Sequence, residues 1–330
     1  MPLALLDLYE NMSGRSVKAP ASNEFEIDGV EREAVADTIA EATNLRIERR
    51  YARRGDDTLL AQLRSNGIVK IPELQLSTST IAEILRHLES KPVYAAHVQA
   101  HSDGIGRSLA DPEAKKFPFG SYSLSDAVST PHLLELAFDP RILSLAEGYL
   151  GCAPSLFSVH SWWTFPGHQV AGPQTFHRDY DDYRFLALFV FLTDVEGGVA
   201  GGEHEFVEST HTMEALTRAV GDDASLASEF FYPKSKGTVH DEGPLYRKLF
   251  GEKVRSVTGK AGSVFLADTY GLHRGVRPTR DGRLVCWIRY GLRKNGAYDV
   301  LKSHSIPFDW SSGRIPDDAY TRYVARLILQ

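Results

Sequence analysis

The sequence predicts an α+β, mainly β protein in which an antiparallel barrel or sandwich follows a helical N-terminal region. Helix-spaced apolar residues recur in several segments before residue 150, and short apolar or aromatic runs separated by turns dominate residues 151–295. Helices do not alternate with those runs. Strands that alternate with helices indicate a parallel sheet, whereas short strands joined by Gly- and Pro-containing turns indicate an antiparallel one.

Composition and charge limit the class of partner. The chain has 330 residues, of which 42% are hydrophobic and 24% are charged, a balance typical of globular proteins. Its 37 basic and 43 acidic residues give a net charge of −6. This mild acidity argues against a general affinity for nucleic acid or for membrane lipid, and it favours a small-molecule substrate as the partner.

Cysteine content and the N-terminus favour a reducing compartment. Cys152 and Cys286 are far apart in the sequence, and Cys286 lies in an apolar run, so we expect two thiols rather than a disulfide. Residues 1–9 lack the basic start of a signal peptide, and no apolar run reaches transmembrane length. We therefore expect a cytoplasmic protein. The sequence does not indicate an oligomeric state.

Residues 1–56 are interpreted as a helical appendage. A helix over Glu31–Arg50 is predicted because four apolar side chains recur at helical spacing: Val35, Ile39, Ala42 and Leu45. An arginine-rich stretch, residues 46–54, ends this region. We interpret it as a solvated surface rather than a nucleic-acid site, because Glu48 interrupts it and Asp56 closes it in an acidic chain.

A helix–strand–helix module opens the main domain, which is predicted to span residues 57–330. The elements predicted for this module are a helix at Leu59–Leu63, a strand at Ile68–Ile71 and a second helix that ends near Leu88. Ser77 is a suitable N-cap for the second helix. Residues 91–130 lack periodicity and are rich in Ser, Gly and Pro, which predicts a loop that could cover a site.

The predicted strands form the core of that domain, at about residues 151–295. Helical sequence at Pro131–Leu150, with a break near Asp139–Pro140, precedes them. The runs that predict strands are Leu156–Phe165, Phe185–Leu192, Glu205–Val207, Gly262–Ala267 and Leu284–Leu292. Helical and polar sequence at about residues 211–255 is interpreted as an insertion between strands.

One short motif contains two side chains of metal-binding type. His177 and Asp179 are separated by one residue, and on a β-strand they would point to the same side while Arg178 points away. Two histidines and a carboxylate, with coordination positions left open, form the facial triad of non-haem Fe(II) sites. The motif alone is weak evidence, because a second histidine is still required.

His273 is the favoured third ligand. It follows the strand that ends at Ala267 by a short turn, which would place it at a strand end beside His177 if the sheets close as a jelly roll. His204 and His211 are the alternatives. Both are interpreted as turn or rim residues, because histidine has many uses besides metal binding.

Arg283 strengthens the metal-site hypothesis. It begins the strand that follows His273, and the planar fork of arginine suits bidentate binding of a carboxylate. A site that uses 2-oxoglutarate needs such a fixed cation for the distal carboxylate, while the keto-acid end chelates the metal. Arg277 and Arg280 are alternatives, but they lie in or beside a turn, where solvated arginines are common.

The order of these elements resembles the phytanoyl-CoA dioxygenase family of Fe(II)/2-oxoglutarate-dependent oxygenases. The elements are His177-x-Asp179, Gly201–His211, Ala261–His273 and Arg283, and Ser65–Pro72 is similar to the N-terminal lead of the family. The resemblance covers about residues 57–295. It implies a double-stranded β-helix (jelly-roll, cupin-like) core, Fe(II) as cofactor, and 2-oxoglutarate and O2 as co-substrates.

The resemblance also implies a reaction. The enzyme would hydroxylate an unactivated C–H bond of a small molecule or biosynthetic intermediate, with release of succinate and CO2. Relatives that halogenate have a small residue in place of the carboxylate, so Asp179 favours hydroxylation. The chain departs from the family pattern at Gly202-Glu203 and at Glu208–His211, and this departure leaves the metal ligands unchanged.

Residues that flank the triad are expected to line the pocket. We expect Thr164 or Gln174 to hydrogen-bond the co-substrate. The substrate mouth is expected to include Trp163, Arg178, Tyr180 and Tyr183. For Trp162 and Trp163, packing in the aromatic core is the alternative interpretation.

Three other functions are compatible with the motifs. A non-catalytic jelly-roll protein could bind a metal or a carboxylate ligand, but it has no need of both a full triad and Arg283. The others are a different 2-oxoglutarate-dependent oxidation, such as desaturation, epoxidation or ring formation, and a zinc isomerase or hydrolase. The motifs leave the substrate open. The absence of a strongly basic stretch for CoA phosphates favours a natural product, an amino acid or a sugar-like molecule.

Overall fold

The computed structural model describes residues 29–51, 57–98, 102–221, 244–292 and 305–330. Its helices are α1 (Gly29–Asn44), α2 (Asp57–Asn66), α3 (Thr78–Glu89), α4 (Leu124–Ser129), α5 (Leu133–Ala137), α6 (Pro140–Leu150), α7 (Met213–Val220), α8 (Pro244–Phe250) and α9 (Ala319–Ala325). Its strands are β1 (Ile68–Lys70), β2 (Phe119–Ser121), β3 (Ser155–Thr164), β4 (Phe185–Phe191), β5 (His204–Val207), β6 (Val254–Val257), β7 (Val264–Ala267), β8 (His273–Gly275) and β9 (Arg283–Gly291).

The strands form two antiparallel sheets that pack face to face. The major sheet has the order β1-β7-β4-β9-β3-β2, and the minor sheet has the order β6-β5-β8. The segment around His177 joins the minor sheet beside β8 through a bridge to His273. From β3 to β9 the chain therefore crosses repeatedly between the sheets, which is the path of a jelly roll. The predicted fold class, a jelly-roll core with N-terminal helices, is confirmed.

The major sheet is buried on both faces. Its outer face packs against the helices through residues such as Leu188 of β4 and Ile288 of β9. On its inner face, Phe189 and Val285 belong to the same buried cluster as Phe206 of the minor sheet. Burial on both faces explains why the sequence of β4 is a continuous apolar run rather than an alternating one.

Two short strands extend the edges of the major sheet. At one edge α2, β1 and α3 confirm the predicted helix–strand–helix order, and Ser77 caps α3 by accepting a hydrogen bond from the Thr80 amide at 3.1 Å. At the other edge β2 pairs with β3, with Phe119 opposite Thr164. The predicted loop at residues 91–130 is therefore wrong in part, because it contains β2 and α4. β2 is the tripeptide Phe-Gly-Ser, which is too short to show a period and contains no apolar run.

The predicted insertion is helical at both described ends. α7 and α8 lie within it, while residues 222–243 lie outside the described residues. β6 begins at Val254, so the insertion ends slightly earlier than the sequence predicts. β8 is a further strand that the pattern does not reveal, and it carries His273.

α1 ends earlier than predicted because the chain after it binds a buried carboxylate. The amides of Arg50 and Tyr51 donate to the Glu147 side chain at 2.9 and 2.6 Å, so this backbone is not helical. The Arg50 guanidinium pairs with Asp318 at 2.8 Å rather than contributing to a continuous basic face. Arg53 and Arg54 lie outside the described residues.

Both cysteines are buried and unpaired. Burial raises the pKa of the Cys286 thiol to about 12, which keeps the sulfur protonated and unreactive. Within the described ranges, no helix combines the length and the apolar character that crossing a membrane requires.

Candidate metal and co-substrate site

The His177 segment is extended, but it is not the strand that the spacing predicts. It pairs with β8 at a single position, where the His177 amide donates to the His273 carbonyl at 2.9 Å and the His273 amide donates back at 3.0 Å. The Asp179 amide donates to the Thr269 carbonyl at 2.8 Å. Backbone hydrogen bonds therefore fix the relative position of all three predicted metal ligands.

The three side chains converge on one point. One potential ligand atom from each of His177, Asp179 and His273 lies within 4.8 Å of the other two. The two Nε2 atoms each lie 3.7 Å from an oxygen of the Asp179 carboxylate. This is the only group of this kind among the residues that the structure describes.

Hydrogen bonds of the two imidazoles fix which nitrogen is available. His177 Nδ1 lies 2.8 Å from the Thr175 carbonyl oxygen, and His273 Nδ1 lies 2.9 Å from the Gly271 carbonyl oxygen. A carbonyl oxygen can only accept, so each Nδ1 carries the proton and donates. Each Nε2 therefore directs a lone pair toward the shared point, which is the arrangement of metal-binding histidines.

Burial keeps His273 in the metal-binding form. Desolvation and the neighbouring His177 hold the pKa of His273 well below its ordinary value. The ring is therefore neutral at physiological pH, and no proton has to leave before a cation binds. Two imidazoles and one carboxylate are a ligand set that fits an Fe(II) site.

Arg283 is a buried cation at the start of β9. Its Nη1 donates to the Gly202 carbonyl at 2.8 Å, its Nη2 donates to Thr164 Oγ1 at 3.3 Å, and its Nε has no partner among the described residues. Desolvation lowers its pKa to about 10, although Glu203 acts in the opposite direction. Within the described part of the chain, Arg283 forms no ion pair. A buried guanidinium without a direct ion-pair partner is costly, and a bound carboxylate would offset that cost.

His204 is not the turn or rim residue that the sequence predicts. It lies on β5, is buried, and its ring centroid is 5.5 Å from that of His273. His211 is remote from this group, and its Nε2 donates to the Arg64 carbonyl at 3.0 Å. Among the described residues, neither His204 nor His211 belongs to the group of potential metal ligands.

The other arginines near Arg283 have partners of their own. Arg277 donates to the His168 carbonyl, and Arg280 pairs with Glu196 at 2.5 Å on the surface. Of the two residues expected to hydrogen-bond a co-substrate, Thr164 contacts Arg283 directly. Gln174 is buried in the turn before His177; its Oε1 accepts from the Ala171 amide at 2.9 Å, and its Nε2 has no partner among the described residues.

The four residues predicted at the substrate mouth do not form one wall. Trp163 lies on the face of β3 opposite Thr164, and its indole donates to Tyr122 Oη at 3.0 Å. Arg178 donates to the Thr210 carbonyl at 2.9 Å. Tyr180 packs edge-on against Tyr270, with 5.6 Å between the ring centroids. Tyr183 belongs to the core on the outer face of the major sheet.

A different set of side chains forms the inner wall. Trp162 and Trp287 meet edge to face with 5.6 Å between centroids, and neither indole nitrogen has a hydrogen-bond partner among the described residues. Beyond them the Arg289 guanidinium lies 3.8 Å from the Trp287 ring centroid and donates to Asp181. Alternation along β9 from Arg283 could have revealed Trp287 and Arg289, because residues two apart share a face.

Comparisons with known proteins give similarities to solved structures alone. No family model matches the sequence, and no curated protein matches it. The chain is similar to EctD from S. alaskensis, solved with 2-oxoglutarate and 5-hydroxyectoine, at 16% identity and a TM-score of 0.48, covering 84% of this chain and 90% of that chain. It is similar to HygX from Streptomyces hygroscopicus, solved with nickel and 2-oxoglutarate, at 14% identity and a TM-score of 0.46, covering 80% and 95%.

A third solved structure is the non-haem alpha-ketoglutarate-dependent epimerase SnoN from nogalamycin biosynthesis. It is 19% identical to this chain, with a TM-score of 0.44, and the match covers 71% of this chain and 82% of SnoN. At these identities and TM-scores, the activity of this protein has to be inferred from its own residues.

Proposed function

We propose that this protein is an Fe(II)- and 2-oxoglutarate-dependent oxygenase that hydroxylates a C–H bond of a small molecule and releases succinate and CO2. The observation that carries the proposal is the pairing of a facial triad with a buried arginine that forms no direct ion pair among the described residues. A triad alone would serve many metals. A buried guanidinium with an unused N–H group specifically favours an anionic ligand beside that metal.

Each residue of the site has a defined task in this proposal. His177, Asp179 and His273 hold the metal and leave part of its coordination sphere open. Arg283, supported by Thr164, binds the distal carboxylate of 2-oxoglutarate, so that its keto-acid end faces the metal. The bound iron supplies activation of O2. The aromatic inner wall, with Phe189 and Trp287, excludes water from the reacting atoms.

Asp179 favours hydroxylation as the outcome. Its carboxylate lies between the two Nε2 atoms and occupies a position that a halide would otherwise need. The substrate would then lie against a wall with mixed aromatic and hydrogen-bonding character. The indole N–H groups of Trp162 and Trp287 can donate to oxygen atoms, which favours a substrate with hydroxyl, carbonyl or carboxylate groups.

An anaerobic titration tests the metal and co-substrate assignments. Fe(II)-loaded protein should develop a weak visible charge-transfer band when 2-oxoglutarate is added, and His177→Ala or Asp179→Ala should abolish the band. Arg283→Met should keep the band but weaken 2-oxoglutarate binding about tenfold to a hundredfold, because one charge-assisted contact is lost. Arg280→Met, which removes an exposed arginine, is the matched control.

Two outcomes would contradict these assignments. No band in metal-loaded wild-type protein would reject the proposed function. Unchanged 2-oxoglutarate affinity in Arg283→Met would reject Arg283 as the anchor and leave the metal site in place.

The reaction itself is tested by substrate-dependent turnover. Candidate natural products, amino acids and sugars should be screened for stimulated succinate formation, and the product should gain one oxygen atom. A product that has lost two hydrogen atoms would indicate desaturation or ring formation instead. Binding of 2-oxoglutarate without succinate formation for any candidate would favour the non-catalytic alternative.

A further inference from the structure

His204 lies between the anchor arginine and a metal ligand. The strand β5 that carries it follows Gly202, whose carbonyl accepts a hydrogen bond from Arg283 at 2.8 Å. Two residues beyond His204, Phe206 lies directly opposite His273 in the β5–β8 register. Residues two apart on a strand share a face, so His204 occupies the middle of the path from Arg283 to the metal ligand.

A second contact confirms this placement. His204 pairs in register with Gly275 of β8. The missing side chain of Gly275 makes room for Arg283, because a Cβ built there would lie only 2.9 Å from Nη2. His204 therefore pairs with the residue of β8 that faces the Arg283 guanidinium.

Aromatic rings hold the imidazole of His204 in place. Its centroid lies 4.9 Å from the Phe189 ring, 5.3 Å from the Phe265 ring and 5.5 Å from the His273 ring. The angle to the His273 ring plane is 22°. Contacts on several sides keep the ring inside the barrel rather than rotated toward solvent.

The ring has a polar atom that the protein leaves unsatisfied. His204 Nε2 is fully buried and has no hydrogen-bond partner anywhere in the described part of the chain. Burial also holds the pKa of His204 well below its ordinary value, and His273 and Arg283 act in the same direction. A neutral imidazole offers one N–H donor. An apolar side chain of similar size would avoid the cost of a buried unpartnered nitrogen, so a bound ligand that accepts a hydrogen bond from His204 would account for the histidine.

We propose that His204 binds the co-substrate, with its Nε2–H donating a hydrogen bond to the distal carboxylate that Arg283 also holds. The inference rests on the proposed function and deepens it. Two donors from different strands would define where the distal carboxylate lies. The two donors would favour a keto acid that has a second carboxylate at this position over a keto acid that lacks it.

Three measurements on His204→Leu test the proposal. First, the metal-free variant should melt at the wild-type temperature or above it, since the unsatisfied nitrogen is gone. Second, Fe(II) affinity should stay within about threefold of wild type, because the three ligands are retained. Third, the anaerobic visible titration should show that the variant binds 2-oxoglutarate about tenfold to a hundredfold more weakly than wild type, because one hydrogen bond to a charged group is lost.

Two further variants distinguish a role of His204 in 2-oxoglutarate binding from a role in folding. His204→Gln, whose amide can still donate, should recover part of the lost 2-oxoglutarate affinity. His211→Leu removes a buried histidine that is bonded to the Arg64 carbonyl, so it should lower the melting temperature and leave 2-oxoglutarate affinity unchanged. If His204→Leu does not fold, His204→Phe, which keeps a flat ring, is measured in its place.

The outcomes distinguish this inference from the proposed function. If wild-type protein binds 2-oxoglutarate and His204→Leu binds it within twofold, the inference is wrong and the function stands. A large loss of melting temperature in metal-free His204→Leu would also overturn it, because it would show a structural role. If wild-type protein with Fe(II) does not bind 2-oxoglutarate, both are wrong.

Discussion

At the scale of single residues, the site depends on one glycine as much as on its charged side chains. Arg283 has a buried guanidinium that needs space beside β8, and Gly275 provides that space. A methyl group at this position would be 2.9 Å from Nη2 and 3.1 Å from Nη1. Such contacts are too close, so the guanidinium would have to move from its present position.

We therefore expect Gly275→Ala to impair co-substrate binding while the fold remains intact. Displacement of the guanidinium should weaken 2-oxoglutarate affinity about tenfold or more, since hydrogen bonds to charged groups depend on geometry. Fe(II) affinity should be unchanged. Gly282→Ala is the control, because a Cβ there faces the Trp163 ring at 3.3 Å and not Arg283. Equal 2-oxoglutarate affinities in the two variants would contradict the role given to Gly275.

The sequence reveals some of these residues and hides others. His177, Asp179 and Arg283 are predicted from the sequence because their residue types and spacing are restricted by metal and carboxylate chemistry. His204 could not be found in this way. It begins a strand of four residues directly after a glycine-rich turn, so its neighbourhood is typical of a loop. Only the packing of β5 against β8 shows that it faces inward.

At the scale of elements, β9 links the anchor to a buried ion pair. Along its inner face, Arg283 is followed by Trp287 and Arg289, and Arg289 donates to the Asp181 carboxylate. Arg289 Nη2 also lies 3.3 Å from Ser158 Oγ on β3. Burial raises the pKa of Asp181 to about 7, with Arg289 acting in the opposite direction. The pair therefore fixes the segment after Asp179 against the major sheet.

Loss of one partner of this ion pair should be much more costly than loss of both. Arg289→Met leaves a buried carboxyl without its cation and should reduce the free energy of unfolding by about 3–5 kcal/mol. The double variant Arg289→Met/Asp181→Leu should recover a large part of that loss. Urea unfolding measures both. The exposed pair Arg280–Glu196 is the control, since Arg280→Met should change stability by less than about 1 kcal/mol. Equal losses for the single and double variants would contradict this account.

The long elements could be predicted, and the short ones only in part. β3, β4, β9 and α6 have enough residues to show a period or an apolar run, and they match the predicted segments closely. β1 and β7 are short, but their apolar runs made them predictable. β2, β6 and β8 are equally short and contain no apolar run, so no pattern emerges from their sequence. The spacing predicts that the His177 segment is a strand, but the segment pairs with β8 at a single bridge.

At the scale of the whole molecule, burial of two neutral imidazoles makes folding dependent on pH. His204 and His273 both have a pKa well below the ordinary value of 6.5, mainly through desolvation. Unfolding would expose them to water, where they take up protons below that pH. Their contribution to stability is therefore complete above pH 6.5 and is lost as the pH falls. The raised pKa of Asp181 acts in the opposite direction over part of the same range.

A comparison of the His204→Leu variant with wild type isolates the contribution of His204 to this pH dependence. In metal-free protein, the free energy of unfolding of His204→Leu should exceed that of wild type by an amount that grows below pH 6.5. The expected slope is about 1.4 kcal/mol per pH unit for one proton, and the contribution of Asp181 cancels in the difference. Urea unfolding between about pH 5 and 7.5 measures it. A difference that does not vary with pH would mean that His204 is protonated in the folded protein.

The single bridge between His177 and His273 has a consequence for metal exchange at the proposed site. His273 lies in the β5–β8 ladder, where it pairs with Phe206, whereas the His177 segment is held by this bridge and by the Asp179 amide, which donates to the Thr269 carbonyl. Opening of the bridge would therefore move His177 away while His273 stays in its ladder. Such a local opening needs less free energy than global unfolding. Exchange of a bound ion would then proceed through movement of the His177 segment rather than through opening of the barrel.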